Sequence, residues 1–188
     1  MRGEATASAA RGALLLIDFQ RDFLCDDGRM PVDADQREPV VAAANRAAAK
    51  AHGDAVIAIG NEFRRGDWTN LFRRFAALAG SEGARWDERV AIDGAPYFAK
   101  WRGSAFCNPD LAVYLRGLGV EEIALAGVYA GGCVSATARD ALARGFRVTV
   151  LSDAVADRNG AARARALKRL KHAGATIAAM RADGPPSP

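Results

Sequence analysis

Short apolar-rich runs punctuate the chain at residues 13–17, 55–60, 97–100, 123–126, 147–151 and 176–179. Those at 13–17, 55–60 and 123–126 show no polar alternation, the pattern of strands buried on both faces of a parallel sheet. Helical spacing fills the intervals. An alanine-rich stretch over residues 39–51 opens at Pro39 and stops at His52-Gly53, with His52 in place as a partner for the helix C-terminal dipole. Trp68, Leu71, Phe72, Phe75 and Leu78 recur as one face of a helix. Residues 109–116, 134–144 and 161–172 complete the helical set, with Gly145 as the left-handed stop after the second of these. Residues 25–38 and 80–96, rich in Asp, Gly and Pro or Glu, read as loops.

Strand alternating with helix predicts an α/β fold: a three-layer α/β/α sandwich around a central, mostly parallel, Rossmann-like sheet of about six strands. The 188 residues suit one domain, expected over 13–181, with a disordered N-terminus over 1–12 and a disordered tail over 182–188. Composition changes this picture little. Net charge is +4, but the arginines are scattered and form no dense basic run with interleaved aromatics, so no nucleic-acid partner is expected. No apolar stretch is long enough for a bilayer and residues 1–11 lack the core of a signal peptide, so no membrane partner is expected either. Three unevenly spaced cysteines, Cys25, Cys107 and Cys133, suggest a reducing compartment and a cytoplasmic location rather than a disulfide framework.

Three predicted strand ends carry chemistry. The first run ends in Asp18, the third in Lys100, and the fourth leads through Gly127, Gly131 and Gly132 to Cys133 at the start of a helix. Open α/β sheets bind ligands at this edge. Unpaired backbone N–H groups and the helix dipole would lower the pKa of a thiol placed there and receive a developing oxyanion. Taken singly, Asp18 is equally read as a turn cap and Cys133 as inert core; convergence on one edge favours a reactive site.

The ordered segments Leu-Leu-Leu-Ile-Asp18-Phe-Gln20-Arg-Asp22-Phe23, Phe98-Ala-Lys100-Trp-Arg-Gly-Ser104-Ala-Phe106, Gly127-Val-Tyr-Ala-Gly-Gly-Cys133-Val-Ser-Ala-Thr137 and Val150-Leu-Ser-Asp153-Ala154 resemble the isochorismatase-like cysteine hydrolases, relatives of N-carbamoylsarcosine amidohydrolase and the nicotinamidases. The resemblance implies a catalytic triad of Asp18, Lys100 and Cys133, a cis peptide between Val128 and Tyr129, and an oxyanion hole from the Tyr129 and Cys133 N–H groups. It also implies homodimers or homotetramers. Metal-dependent nicotinamidases carry histidine ligands after the second strand; here that place reads Asn61-Glu62-Phe63-Arg64, and the histidines are His52 and His172. No metal and no other cofactor is expected. Ala130 stands where some members have Thr, and the Ala130-Gly131-Gly132 run looks closer to carbamoyl-type amidohydrolases.

The expectation is therefore hydrolysis of a C–N bond in a small linear amide or carbamoyl compound, through a thioester and with release of ammonia. Phe23, Asn61, Trp68, Trp101 and Tyr129 are the candidate substrate-binding residues, with Arg64 or Arg102 as carboxylate partners. The alternatives are a non-catalytic binding protein on the same fold, or vinyl-ether hydrolysis of the isochorismatase type, which does without the nucleophilic cysteine. Trp68, Phe72 and Phe75, interleaved with arginines, are the expected subunit contact.

Overall fold

A computed structural model describes residues 11–51 and 54–180. Of the N-terminal disorder expected over 1–12, residues 1–10 lie outside the described residues, as do the His52-Gly53 helix stop and the tail over 182–188, whereas Arg11 and Gly12 are ordered as the start of a strand. Six strands, β1 (Arg11–Ile17), β2 (Ala55–Asn61), β3 (Tyr97–Lys100), β4 (Val120–Val128), β5 (Arg147–Ala156) and β6 (Thr176–Ala178), form one sheet in the order β3-β2-β1-β4-β5-β6. Every pairing is parallel, and β1 begins at Arg11, two residues before the expected start.

The sheet is apolar on both faces because both are covered. Ala13, Leu15 and Ile17 of β1 point into a core shared with α3 (Pro109–Gly117), α4 (Ser135–Ala143) and α5 (Gly160–His172). The alternate residues Leu14 and Leu16 enter a second core with α1 (Arg21–Leu24) and α2 (Ala34–Lys50). Two-residue periodicity thus divides one apolar strand between two cores. The result is the α/β/α sandwich expected from the strand–helix alternation.

Two elements differ from the sequence reading. Helix α2 starts at Ala34 and carries Pro39 inside it, rather than beginning at the proline. Its first turn is fastened from outside: Gln36 Nε2 donates to the Asp157 carbonyl at 3.3 Å, and Gln36 Oε1 accepts the Asp157 N–H at 3.2 Å. These bonds, together with burial of Val40, Val41, Ala43 and Ala44, outweigh the one intrahelical bond that a proline removes.

The helix expected over 68–78 is instead a single turn over Trp68–Leu71, followed by left-handed residues at Arg74, Phe75 and Ala77. Its spacing is helical, but distant polar groups take the chain elsewhere. Buried Asn70 donates to the Arg64 carbonyl at 2.8 Å, and the Asp22 carboxylate accepts the Ala77 N–H at 2.7 Å, drawing Ala76 and Ala77 into the core. The aromatic stripe remains outside, with Trp68 77% and Phe72 75% exposed and their rings edge-on at 5.8 Å.

Candidate active site

Three neighbouring strands deliver one side chain each to the carboxyl edge of the sheet. β1 ends at Ile17, and Asp18 adopts a left-handed φ of 58°, a region Asp tolerates better than most residues. Its N–H donates to the Ile59 carbonyl of β2 at 2.8 Å. β2 ends in Asn61 and β3 in Lys100, which are register partners. Beyond β4, the Val128–Tyr129 peptide is cis, and a tight turn over Ala130–Val134 carries Cys133 into α4. The Tyr129 carbonyl accepts the Gly132 and Val134 N–H groups at 2.9 and 3.2 Å, closing the turn around Cys133. Gly127 is obligatory here: its φ is 138°, and a Cβ would stand 2.1 Å from the Ile17 carbonyl oxygen.

The side chains form a closed cluster. Lys100 Nζ lies 2.9 Å from Asp18 Oδ2, and both side chains are fully buried. It also stands 3.2 Å from Cys133 Sγ and donates to Asn61 Oδ1 at 2.6 Å. Asn61 Nδ2 donates to Asp18 Oδ2 at 2.8 Å and lies 3.8 Å from Cys133 Sγ. Asp18 Oδ1 is buried without a hydrogen-bond partner. The structure therefore brings Asp18, Lys100 and Cys133 together around one cation, with Asn61 clasping Asp18 and Lys100.

Burial raises the Asp18 carboxyl above its usual range, against the opposing pull of Lys100. Burial alone would lower Lys100, yet the neighbouring Asp18 and Cys133 leave it raised. The Cys133 thiol is pushed up to about 11 by burial and then by Asp18, with Lys100 opposing. This corrects the expectation of a lowered thiol. Cys133 does sit at the start of a helical segment, but desolvation and an adjacent carboxylate outweigh the helix field. Burial thus favours the neutral form of the thiol, beside Lys100 and Asp18.

Around this cluster lie residues that local patterns did not single out as functional. Gln20, fully buried, exchanges hydrogen bonds with the Asn61 backbone, Nε2 donating to the carbonyl at 2.8 Å and Oε1 accepting the N–H at 2.8 Å. Asp157 Oδ2 accepts the Gly131 N–H at 2.7 Å, tying the Ala130–Val134 turn to the end of β5. Asp157 was signalled only as a polar residue directly after an apolar run, and Gln20 only as part of the first segment that carries the family resemblance. Of the candidate pocket residues, Asn61 belongs to the cluster itself. Phe23 and Tyr129 stack edge to face at 5.9 Å, with the Tyr129 hydroxyl donating to the Met30 carbonyl. Trp68 is exposed and Trp101 is 39% exposed; among the described residues, no hydrogen bond or ring contact joins either to the triad. Arg64 and Arg102 are exposed as well.

A cavity of about 490 Å³ opens beside the Ala130–Val134 turn, lined by Met30, Pro31, Tyr129, Gly131, Gly132, Asp157, Ala162 and four arginines. That volume is typical of small-molecule sites.

The fold is shared with known proteins, and the chain belongs to the isochorismatase family. The family's Isochorismatase domain matches residues 12–182. The isochorismatase family protein PncA of Bacillus subtilis is 32% identical over 180 residues, covering 88% of this chain and 98% of that protein. The N-carbamoylsarcosine amidase of an Arthrobacter species is 31% identical over 122 residues, which are 59% of this chain and 46% of that enzyme. Among solved structures, the pyrazinamidase of Pyrococcus horikoshii in complex with zinc superposes with a TM-score of 0.79 at 29% identity, covering 90% of this chain and 99% of that one.

The residues present here do not fit such a metal. The chain leaving β2 offers Glu62 as its only carboxylate before Asp67, and Glu62 Oε1 accepts the Tyr97 hydroxyl at 3.2 Å. Among the described residues, no group of three or more His, Cys, Asp or Glu side chains is placed to hold a metal ion. Nor is any described helix long and apolar enough to cross a membrane.

Proposed function

We infer that the protein is a cysteine-dependent amidohydrolase acting on a small linear amide or carbamoyl compound and releasing ammonia. The observation that carries this reading is Lys100 Nζ, buried between Asp18 Oδ2 at 2.9 Å and Cys133 Sγ at 3.2 Å. One cation beside two acids lets a single negative charge reside on either. Passing the thiol proton to Asp18 moves that charge from oxygen to sulfur without changing the net charge of the site. The transfer therefore adds no new uncompensated charge to a buried environment.

In the reaction, Asp18 accepts the proton as Cys133 Sγ attacks the amide carbon. The carbonyl oxygen becomes an oxyanion, held by the Tyr129 and Cys133 N–H groups. Asp18 then protonates the departing nitrogen as the C–N bond breaks, giving ammonia and a thioester. Asp18, again a carboxylate, removes a proton from water as its oxygen attacks the thioester. Collapse releases the acid, and the proton returns to the sulfur. Lys100 stays charged throughout, and Asn61 keeps Asp18 and Lys100 in register. A free thiol nucleophile suits a reducing, cytoplasmic setting.

The relatives named as amidases support the reaction class. A panel of small amides and ureides assayed for ammonia release, with Cys133→Ala as the control, tests it. Release by the wild type that disappears in Cys133→Ala is the expected result. Turnover that survives Cys133→Ala, or depends on Cys25 or Cys107 instead, overturns the assignment.

A further inference from the structure

The Ala130–Val134 turn follows β4, which lies between β1 and β5 in the sheet. Asp18, Asn61 and Lys100 reach the turn from the β1 side. A further carboxylate arrives from the β5 side. The last register pairs between β4 and β5 are Gly127 with Val155 and Val128 with Ala156, so the next residue, Asp157, is delivered beside Tyr129. Asp157 is buried. Burial, and after it the Asp157 charge, raise the Tyr129 hydroxyl above its ordinary value.

Every polar group of Asp157 has a partner, and the partners divide by role. Its backbone serves α2: the N–H donates to Gln36 Oε1 at 3.2 Å, and the carbonyl accepts the Asp33 N–H at 3.1 Å and Gln36 Nε2 at 3.3 Å. Its carboxylate serves the turn: Oδ2 accepts the Gly131 N–H at 2.7 Å, while Oδ1 accepts the Arg158 N–H at 2.8 Å. The other end of the same peptide unit is held as well, because the Ala130 carbonyl accepts the Ser135 hydroxyl at 2.6 Å. A peptide unit is planar, so a fixed acceptor on its N–H and a fixed donor on its C=O set the orientation of the whole Ala130–Gly131 plane. Gly131 permits this approach, since a Cβ there would already stand 3.1 Å from Asp157 Oδ2.

That plane lies between the two N–H groups that would hold the oxyanion, those of Tyr129 and Cys133. Asp157 takes the Gly131 N–H and the Tyr129 carbonyl takes the Gly132 and Val134 N–H groups, so these bonds shape the turn without occupying either oxyanion donor. Such donors act by being aimed before charge develops, and a misplacement of about 1 Å costs about a hundredfold in rate. We propose that Asp157 and Ser135 are positioning residues, which aim the Tyr129 and Cys133 N–H groups by holding the Ala130–Gly131 peptide from both ends. The proposal rests on the reading of Cys133 as the nucleophile, whichever amide is turned over.

The test compares Asp157→Ala, Ser135→Ala and the double variant with the wild type. Asp157→Ala leaves the backbone bonds to α2 in place and opens the Gly131 N–H to the cavity, so urea unfolding should keep a single transition. Its kcat for ammonia release should fall about tenfold to a hundredfold with KM nearly unchanged, because the alignment matters only once the oxyanion forms. Ser135→Ala makes the same prediction from the other end of the peptide, and decides the matter if Asp157→Ala does not fold. The double variant should lose little more than either single one, since both bonds hold one plane. Alkylation of Cys133 by iodoacetamide expels iodide and forms no oxyanion, so its rate should stay at the wild-type value. A merely structural defect would slow both reactions together.

Propionaldehyde gives a readout free of turnover. Cys133 Sγ bonds to its carbonyl carbon, the thiol proton passes to Asp18, and the oxygen takes the oxyanion position. Its affinity, read as protection of Cys133 from iodoacetamide, should weaken about tenfold or more in the variants. If no amide yields ammonia while this protection weakens as expected, the amidohydrolase reading fails and the positioning assignment stands. Aldehyde affinity unchanged by the substitutions, or absent in the wild type, overturns the assignment. So does alkylation that slows as much as turnover, or losses that multiply in the double variant.

Discussion

Replacing Asn61 by Ala separates two roles for a residue that sequence alone places in the substrate pocket. In the structure Asn61 Nδ2 donates to Asp18 Oδ2 at 2.8 Å, and Asn61 Oδ1 accepts from Lys100 Nζ at 2.6 Å. The substitution leaves Asp18 Oδ2 with Lys100 alone, while Oδ1 already lacks a hydrogen-bond partner. A hydrogen bond to a charged group contributes about 1.5–3 kcal/mol, so losing both should destabilise the fold by roughly 3 kcal/mol in urea unfolding. The Nδ2 donor favours the ionised form of Asp18, and its loss moves an already raised carboxyl higher still. About 1.4 kcal/mol corresponds to one pH unit, so the weaker end of the hydrogen-bond range predicts a displacement of about one unit. Because Asp18 must be ionised to take the thiol proton, the acidic limb of the kcat/KM profile shifts to higher pH. The assay is ammonia release from a turned-over amide across roughly pH 4 to 9. Asn61→Asp, which sets a second carboxylate against Asp18, should shift the limb in the same direction. An acidic limb that stays in place while KM alone rises would show Asn61 to be a substrate contact and refute the clasp.

The thiol makes a stability prediction of its own. Cys133 is raised from 9.0 to about 11, so above pH 9 the unfolded chain releases a proton that the folded chain retains; stability falls between those values and changes no further from this group above them. At about 1.4 kcal/mol per pH unit the loss is roughly 3 kcal/mol, and Cys133→Ser should show a correspondingly shallower alkaline fall in chemical denaturation. Equal slopes in the two proteins would contradict it. Dialysis against a chelator should leave ammonia release intact, because the described residues hold no metal-binding cluster; activity lost to the chelator and restored by zinc would reverse this conclusion. Exposed Trp68, Leu71 and Phe72, at 77%, 69% and 75%, predict self-association in solution, and light scattering at micromolar concentration should give a multiple of the 19.9 kDa chain mass. A monomer mass with full activity would remove that expectation.

The parts legible in the sequence were those set by local pattern. β3 over Tyr97–Lys100 was read residue for residue, and all six strands were found, because a buried parallel strand is an apolar run whatever surrounds it. The strand-end residues Asp18 and Lys100 followed from the same runs. What failed depended on partners far away in the chain. Helical spacing over 68–78 was real, but the Asp22 carboxylate holds Ala77 from 55 positions away. Pro39 gave a sound local start for a helix, yet the true first turn is fixed by Gln36 meeting Asp157, 121 positions on. The direction of the Cys133 shift was missed for the same reason. A helix field is visible in sequence, whereas burial beside Asp18 is not.

The charge balance of the cluster limits what can approach the sulfur. Lys100 balances one negative charge, and that charge is already used by Asp18 or, after proton transfer, by Cys133. A substrate carboxylate placed within this buried cluster would be a second anion without a counter-charge, raising Asp18 further and opposing formation of the thiolate. A neutral amide group meets no such opposition at the sulfur. The reacting centre then keeps its net charge through binding and proton transfer. Its own negative charge grows only when the carbonyl becomes an oxyanion, the step at which backbone N–H donors contribute most.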